Sequence, residues 1–423
     1  MSPSTCCYAS RGASSIITNK ITEVIVGVDT HADTHHVALI NENGKHLGDA
    51  KFLATGTGYR AIVGYITGHG PVSTVGVEGT GSYGAGLTRH LRASGFHVEE
   101  VNRPNRQERR LRGKSDPLDA YQAAHAVLAG RGTSAPKSRD GHVEALRVLR
   151  TARTSALKAR AAALAQINSI LIAAPEELRA KYRGQTVAAR LKSLLVSRPV
   201  GDYQNPGTAT AIALRRLAKR HQYLTGEIQD CDVQLAAIIA DRAPALTQIN
   251  GVGTATASQL LVTFGDNADR ITGEAQFAAL TGVAPIPASS GKTTRHRLSR
   301  GGDRAANSAI HHIVLVRMST DRRTKDYVIK RTQEGMSKRE IIRCLKRYIA
   351  RKIFRTLRNP RPVPATNDLR PQRQAKRITQ TAAAQHFCVW STAISRIEKG
   401  VSRDHDLTDR YRTWLNQQPE IAI

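Results

Sequence analysis

Residues 23–39, EVIVGVDTHADTHHVAL, constrain the fold more than any other stretch of the chain. Glu23–Val28 reads as a strand of β-branched side chains, and Asp29 stands where it stops. After a short polar turn containing Asp33, a second strand runs from His36 to Ile40. A carboxylate fixed at a strand end beside a tight turn is a rigid anchor for a divalent metal ion. The same residue also makes an ordinary Asx turn. Other carboxylates arriving at the same place would separate the two readings.

The following sequence supplies them. A third strand is expected around Lys51–Ala54 and a helix over Gly58–Thr67. A strand Ser73–Val77 then ends at Glu78 within VEGTGSYG. A helix over Gly84–Ala93 and a strand His97–Val101 complete a mixed sheet with flanking helices, an α/β domain. Asp116 and Asp119 open a helix, Pro117–Leu128, and lie three residues apart on one face of it. Capping explains that pair equally well: Asp116 as N-cap, Pro117 at N1 and Asp119 at N3.

Together, Asp29, Glu78, Asp116 and Asp119 form an interpretable set. Four carboxylates in one place repel unless divalent cations neutralise them, and such a site suits two-metal phosphodiester cleavage. Oxygen ligands without a paired His or Cys point to Mg²⁺ or Mn²⁺. His31 and Asp33 are candidates for outer groups around the ions, or plain turn and surface residues.

Charge identifies the partner. Lys plus Arg number 63 against 34 Asp plus Glu, a net +29, which calls for a polyanion. No run approaches the ~18 apolar residues of a membrane span, so nucleic acid is favoured over a lipid surface. The five cysteines contain no CxxC pair, which argues against a zinc ribbon or disulfide framework and suits a reducing, cytoplasmic setting. Aromatics at 4% disfavour single-strand binding on stacking platforms. Between Val101 and the acidic pair, Arg103, Arg106, Arg109, Arg110, Arg112 and Lys114 form a basic segment without period. It suits a phosphate backbone, or a solvated loop.

Beyond a Ser-rich, disordered 1–20, the remainder is mainly helical. His142 to about Ala240 carries apolar residues at three- and four-residue spacing, as a coiled-coil arm or dimer interface would, or a bundle within one core. Gly251-Val252-Gly253 has the layout of a helix-hairpin-helix, whose Gly251 and Gly253 let backbone N–H groups approach a phosphate; a glycine-capped helical corner looks the same. A strongly basic helix spans Lys338–Arg358. Residues 359–376 read as a Pro-rich linker. Residues 377–418 have helix-turn-helix spacing: a helix Gln380–Phe387, a turn Cys388–Trp390, Ser391 as N-cap, and a helix Thr392–Lys399 ending at Gly400. Ser391, Thr392, Ser395 and Arg396 would face the major groove.

GVDTHADTH, VEGTGSYG, KSDPLDA, INGVGTATA and PASSGKTTRHRLSRGGDR, in that order, resemble the DEDD transposases of the insertion sequence one-ten family. The resemblance runs from residue 23 to about 358. It implies an RNase H/RuvC-like nuclease domain (21–135), a coiled-coil region (136–243) and a mainly helical transposase domain (244–358), with Asp29, Glu78, Asp116 and Asp119 as the metal tetrad. It implies a serine nucleophile in Ala288–Gly291, with Ser290 favoured over Ser289. It further implies double-stranded DNA at the element ends and target as substrate, a structured guide RNA encoded by the element, and a homo-oligomer, dimer or tetramer, in which one subunit's serine completes another's acidic site. The helix-turn-helix tail departs from the family pattern.

No His–Asp pair adjoins Ser290, so its activation must come from elsewhere in space, and a tetrad-held metal could supply it. Lys292, Arg295, Arg297, Arg300 and Arg304 are placed to hold phosphate and offset transition-state charge. SSGKTT is not a P-loop: that spacing needs glycine where Ile286 stands, between Pro285 and Pro287. Two rivals remain, a metal-dependent nuclease or junction resolvase without covalent intermediate, and a non-enzymatic DNA-binding regulator.

Overall fold

Strand alternation and two glycines decide how the N-terminal part is layered. The computed structural model describes residues 23–101, 115–265, 271–289, 291, 296–299, 301–363, 365–400 and 404–419. The expected disorder over 1–20, and the basic segment with Arg103, Arg106, Arg109, Arg110, Arg112 and Lys114, lie outside the described residues. The chain divides into two compact units, Met1–Ser138 and Arg139–Ile423.

In the first unit six strands are ordered β3-β2-β1-β4-β5-β6. They are β1 (Val24–Thr30), β2 (Thr34–Asn41), β3 (His46–Leu53), β4 (Val72–Glu78), β5 (Val98–Val101) and β6 (Thr133–Ser134). β1 runs antiparallel to β2 and parallel to β4, and β4 runs parallel to β5. β1 extends to Thr30, so Asp29 lies within the ladder, paired with His36, and not past its end.

Side chains alternate across the sheet. Val24, Val26, Val28, Val75 and Val77 pack with Ile62 and Ile66 of α1 (Gly56–Gly68) and with Leu87 and Leu91 of α2 (Ala85–Ala93). On the opposite face Ile25 and Ile40 meet Ala124, Tyr121 and Val127 of α3 (Asp116–Leu128). Gly27 and Gly76 are register partners on that face. A Cβ at Gly27 would lie 2.1 Å from the Ala120 carbonyl oxygen, and one at Gly76 would lie 2.4 Å from Val127 Cγ2. The missing side chains therefore let α3, with its small Ala120, Ala123 and Ala124, rest directly on the sheet.

His35 of β2 is fully buried and stacks on Tyr59, with ring centroids 5.7 Å apart. Burial, with a smaller contribution from His31, lowers its pKa below the ordinary 6.5. Below pH 6.5 the unfolded chain takes up a proton that the folded state resists, so stability present at neutral pH is lost as pH falls below that value. Melting temperatures measured from pH 7.5 to 5.5 are expected to fall less steeply in His35→Phe than in the parent.

The second unit is built on two long helices, α4 (His142–Ala173) and α7 (Pro206–Arg242), joined through α5 (Glu176–Tyr182) and α6 (Val187–Val196). Arg153 on α4 donates two hydrogen bonds to Asp232 on α7, at 2.6 and 3.1 Å. Ile167, Leu171 and Leu214 share a small core with Tyr182 and Leu194. Val143, Leu146, Leu235 and Ile239 belong instead to the main core. That core is completed by α9 (Thr254–Phe264), α10 (Glu274–Leu280), α11 (Arg304–Thr320) and α13 (Lys338–Arg358). α12 (Arg322–Gln333) lies between the last two helices in sequence.

Only a four-residue helix, α8 (Pro244–Thr247), precedes the Gly251 turn. Gly251 has φ +87°, and a Cβ there would lie 2.9 Å from the Ile313 carbonyl oxygen, so packing on α11 accounts for this glycine. Gly253 caps α9, with its N–H donated to Thr256 Oγ1.

The expected linker 359–376 is in part a correction: α14 (Leu369–Ala375) occupies its end. Leu369 is buried with Ala383, Ile394, Ile397, Tyr411 and Leu415, and Arg373 donates two hydrogen bonds to buried Glu398. α15 (Gln380–His386) and α16 (Ser391–Glu398) follow with the expected turn between them, then α17 (His405–Gln417). The N-cap of α16 is Trp390, and Ser391 is already helical, one residue earlier than expected. No helix among the described residues is long and apolar enough to cross a membrane.

Candidate functional site

The register of β1 and β4 sets the site. Val28 pairs with Val77, so Asp29 and Glu78 follow at the same level on adjacent parallel strands. Their parity is that of Gly27 and Gly76, which puts both acids on the face covered by α3. Just past Glu78 the chain turns at Gly79, φ +69°, and Thr30 Oγ1 donates to the Glu78 carbonyl oxygen at 2.8 Å.

α3 starts above this pair of strand ends. Its N-cap is Ser115, so Asp116 and Pro117 occupy the first two helical positions and the capping role expected of Asp116 falls one residue earlier. Asp119, on the same face as Asp116, is only 1% exposed. The turn between β1 and β2 brings His31 in, its N–H donated to the Thr34 carbonyl oxygen at 3.0 Å. His31 Nε2 lies 3.1 Å from Asp29 Oδ2 and 3.3 Å from Asp116 Oδ1. Asp29, His31 and Asp116 each offer one ligand atom within 4.8 Å of the others.

Asp29 is 7% exposed. Its pKa is raised chiefly by burial; His31 opposes that rise, and the charges of Asp119 and Asp116 add to it. A buried carboxyl group that resists ionisation, with further acids beside it, is stabilised in its charged form by a nearby cation. The donor set is mainly carboxylate oxygen with one imidazole nitrogen. It fits a hard divalent ion, and the nitrogen suits Mn²⁺ better than Mg²⁺. His31 is thus the site residue that sequence reasoning undervalued, since an exposed turn histidine gives no signal until α3 is placed. Asp33 lies in the same turn, its carbonyl oxygen accepting from Ala54 N–H at 2.8 Å.

The second unit carries the remaining candidates. Ser289 is exposed, two residues after the two-residue strand β7 (Ile286–Pro287), which pairs with β8 (His296–Arg297). Ser290, Lys292, Arg295 and Arg300 lie outside the described residues. Arg297 is exposed on β8, and Arg304 is exposed at the start of α11. Ser391, Thr392 and Arg396 are exposed and Ser395 is half-buried on α16. The spacing of Arg339, Arg343, Arg347, Arg351 and Arg355 on α13 makes a row four residues apart that the sequence reading did not single out.

Two family models match the chain. One, for DEDD-type IS110 transposases, covers residues 26–174, and the other, described as "Transposase IS116/IS110/IS902 family", covers 243–328. The 43.6 kDa protein of insertion element IS110 from Streptomyces coelicolor is 29% identical over 158 residues, 36% of this chain and 39% of that one. The transposase for insertion sequence element IS1328 from Yersinia enterocolitica is 26% identical over 222 residues, 52% of this chain and 63% of that one. The matched stretches span less than two thirds of either relative.

Proposed function

Because the chain belongs to the DEDD transposases of the IS110 family, we propose that it cuts and rejoins DNA strands at the ends of a mobile element and at its target. The observation that carries this is the meeting of Asp29, Asp116 and His31 at hydrogen-bond distances, on the sheet face that also presents Glu78. Asp29, Glu78, Asp116 and Asp119 would hold one or two divalent ions, with His31 beside them. Such ions activate an attacking oxygen and stabilise a leaving one when bound. Asp116 and Asp119 ride on a rigid helix start and Asp29 and Glu78 on paired strands, so the ligands are held without loop freedom.

Ser290, or its neighbour Ser289, serves as nucleophile. Its Oγ bonds to phosphorus as the P–O bond to the departing strand breaks, and the hydroxyl proton passes to the departing oxygen. Arg297 and Arg304, with Lys292, Arg295 and Arg300, would balance the charge on the phosphoryl oxygens. An element-encoded RNA chooses the sites, a dimer or tetramer brings serine and acids together, and the module around α16 adds a DNA contact, with Ser391, Thr392, Ser395 and Arg396 toward the groove.

A second reading, hydrolysis without a covalent intermediate, is favoured by one fact: the proposed metal ligands all come from the first unit. Ser290→Ala, with Ser289→Ala beside it, separates the two. Strand transfer is expected to vanish in Ser290→Ala, with no protein–DNA adduct on denaturing gels. Unchanged cleavage in both variants, with no rejoining and no adduct, would leave the hydrolytic reading.

A further inference from the structure

Beside the β7–β8 hairpin, the second unit has a cavity of about 560 Å³. Val283, Pro285, Leu298, Met336 and Tyr348 supply its apolar lining. Leu298 and Tyr348 are 55% and 54% exposed, large apolar side chains that the protein itself does not cover. The rim carries Arg297 from β8, and Arg343, Arg347 and Arg351 from successive turns of α13, about 6 Å apart along its axis. Arg351 pairs with Glu274 at 3.0 Å and Arg343 lies 3.9 Å from Glu340, so the two acids offset part of that charge. Arg343 Nη1 donates to the His296 carbonyl oxygen at 3.2 Å, fixing the hairpin to the helix.

Lys346 lines the same cavity although only 8% exposed. Its Nζ donates to Asn307 Oδ1, and Asn307 in turn donates to the carbonyl oxygens of Thr281 and Gly282 at 3.0 and 2.9 Å. Among the described residues no carboxylate pairs with Lys346, and burial lowers its pKa. Glu340, the acid in the described lining, accepts from Ser337 N–H and Oγ at 3.0 and 2.7 Å. A buried lysine in a cavity rimmed by arginine asks for an anion. The apolar walls ask for a flat, weakly polar body.

We propose that this cavity receives one unpaired nucleotide of the DNA strand being cut, its base against Tyr348 and Leu298 and its phosphate among Arg297, Arg343 and Arg347. The proposal rests on the strand-transfer reading above. A paired base is stacked within the duplex and cannot reach an apolar wall, whereas an extruded one can. DNA is the strand chosen because the same hairpin leads from Pro287 to Ser289, next to the proposed nucleophile.

The test uses full-length protein in EDTA, so that no cleavage intervenes, and two DNA duplexes. One is fully paired and the other carries a single unpaired 2-aminopurine. Fluorescence anisotropy is expected to show the bulged duplex bound on the order of tenfold more tightly, with a change in 2-aminopurine emission. Tyr348→Ala and Leu298→Ala should each abolish the preference and leave paired-duplex affinity unchanged, while Tyr348→Trp retains it. Equal binding of both duplexes, a preference that survives both alanine variants, or tighter binding of the same bulge in RNA would overturn the proposal. Loss of paired-duplex binding would instead sink the DNA reading on which it rests.

Discussion

Asp29→Asn is expected to abolish strand cleavage and transfer, by at least about a thousandfold, and at the same time to raise the melting temperature of the metal-free protein by a few degrees. Both follow from one geometry. The Asp29 carboxyl is buried beside Asp116 and Asp119, and its pKa is raised accordingly. The folded state holds that proton more tightly than the unfolded chain. As pH rises above the ordinary 3.8 and through the folded value, stability is therefore lost, and at neutral pH the ionised group carries a cost. Asparagine removes the charge and the cost together.

The parent should recover stability with Mn²⁺ or Mg²⁺, by about 2.7 kcal/mol at a hundredfold excess over Kd. Asp29→Asn should not respond. Scanning calorimetry with and without metal, alongside a strand-transfer assay, reads both effects. A variant that lost activity but kept its metal-dependent shift would move Asp29 out of the ion's coordination.

Gly27→Val should be among the most damaging single changes in the first unit, by about 3 kcal/mol or more. The new Cβ would meet the Ala120 carbonyl oxygen and the Ala124 amide nitrogen at 2.1 and 2.3 Å. Neither is a side chain that can rotate away, so the helix itself must lift. Because Asp116 and Asp119 ride on that helix, the metal response should disappear with the packing. Gly64→Ala is the control: nothing lies within 4 Å of its Cβ, it sits within α1, and alanine there should be neutral or stabilising by about 1 kcal/mol. Urea denaturation of the two variants, with and without Mn²⁺, makes the comparison. Equal, small effects would mean that α3 does not rest on the glycines.

The sheet and its acids were legible because their signals are local. β-Branched apolar runs mark β1 and β4, and Gly-Val-Asp, one residue before the end of β1, stands level with the Gly-Val-Glu that ends β4. What escaped depends on distant partners. β3 began earlier than expected because HLGDAKFL is a polar edge strand, stabilised by pairing with β2 more than by its own pattern. β6 consists of two residues that pair with Glu100 and Val101 and have no pattern to read. α14 hides in a Pro-rich stretch because its helix depends on Leu369 reaching a core and Arg373 reaching Glu398, 25 residues away. His31 looked like turn polarity until Asp116 arrived from 85 residues downstream.

The β1–β4 ladder also works as an alignment gauge. Slide one strand past the other by a single rung, and Asp29 and Glu78 part to opposite sides, together with the two glycines that seat the helix. Correct pairing and the meeting of these two acids are thus the same event in this unit. A chain that has closed its sheet in register has already brought Asp29 and Glu78 to one face.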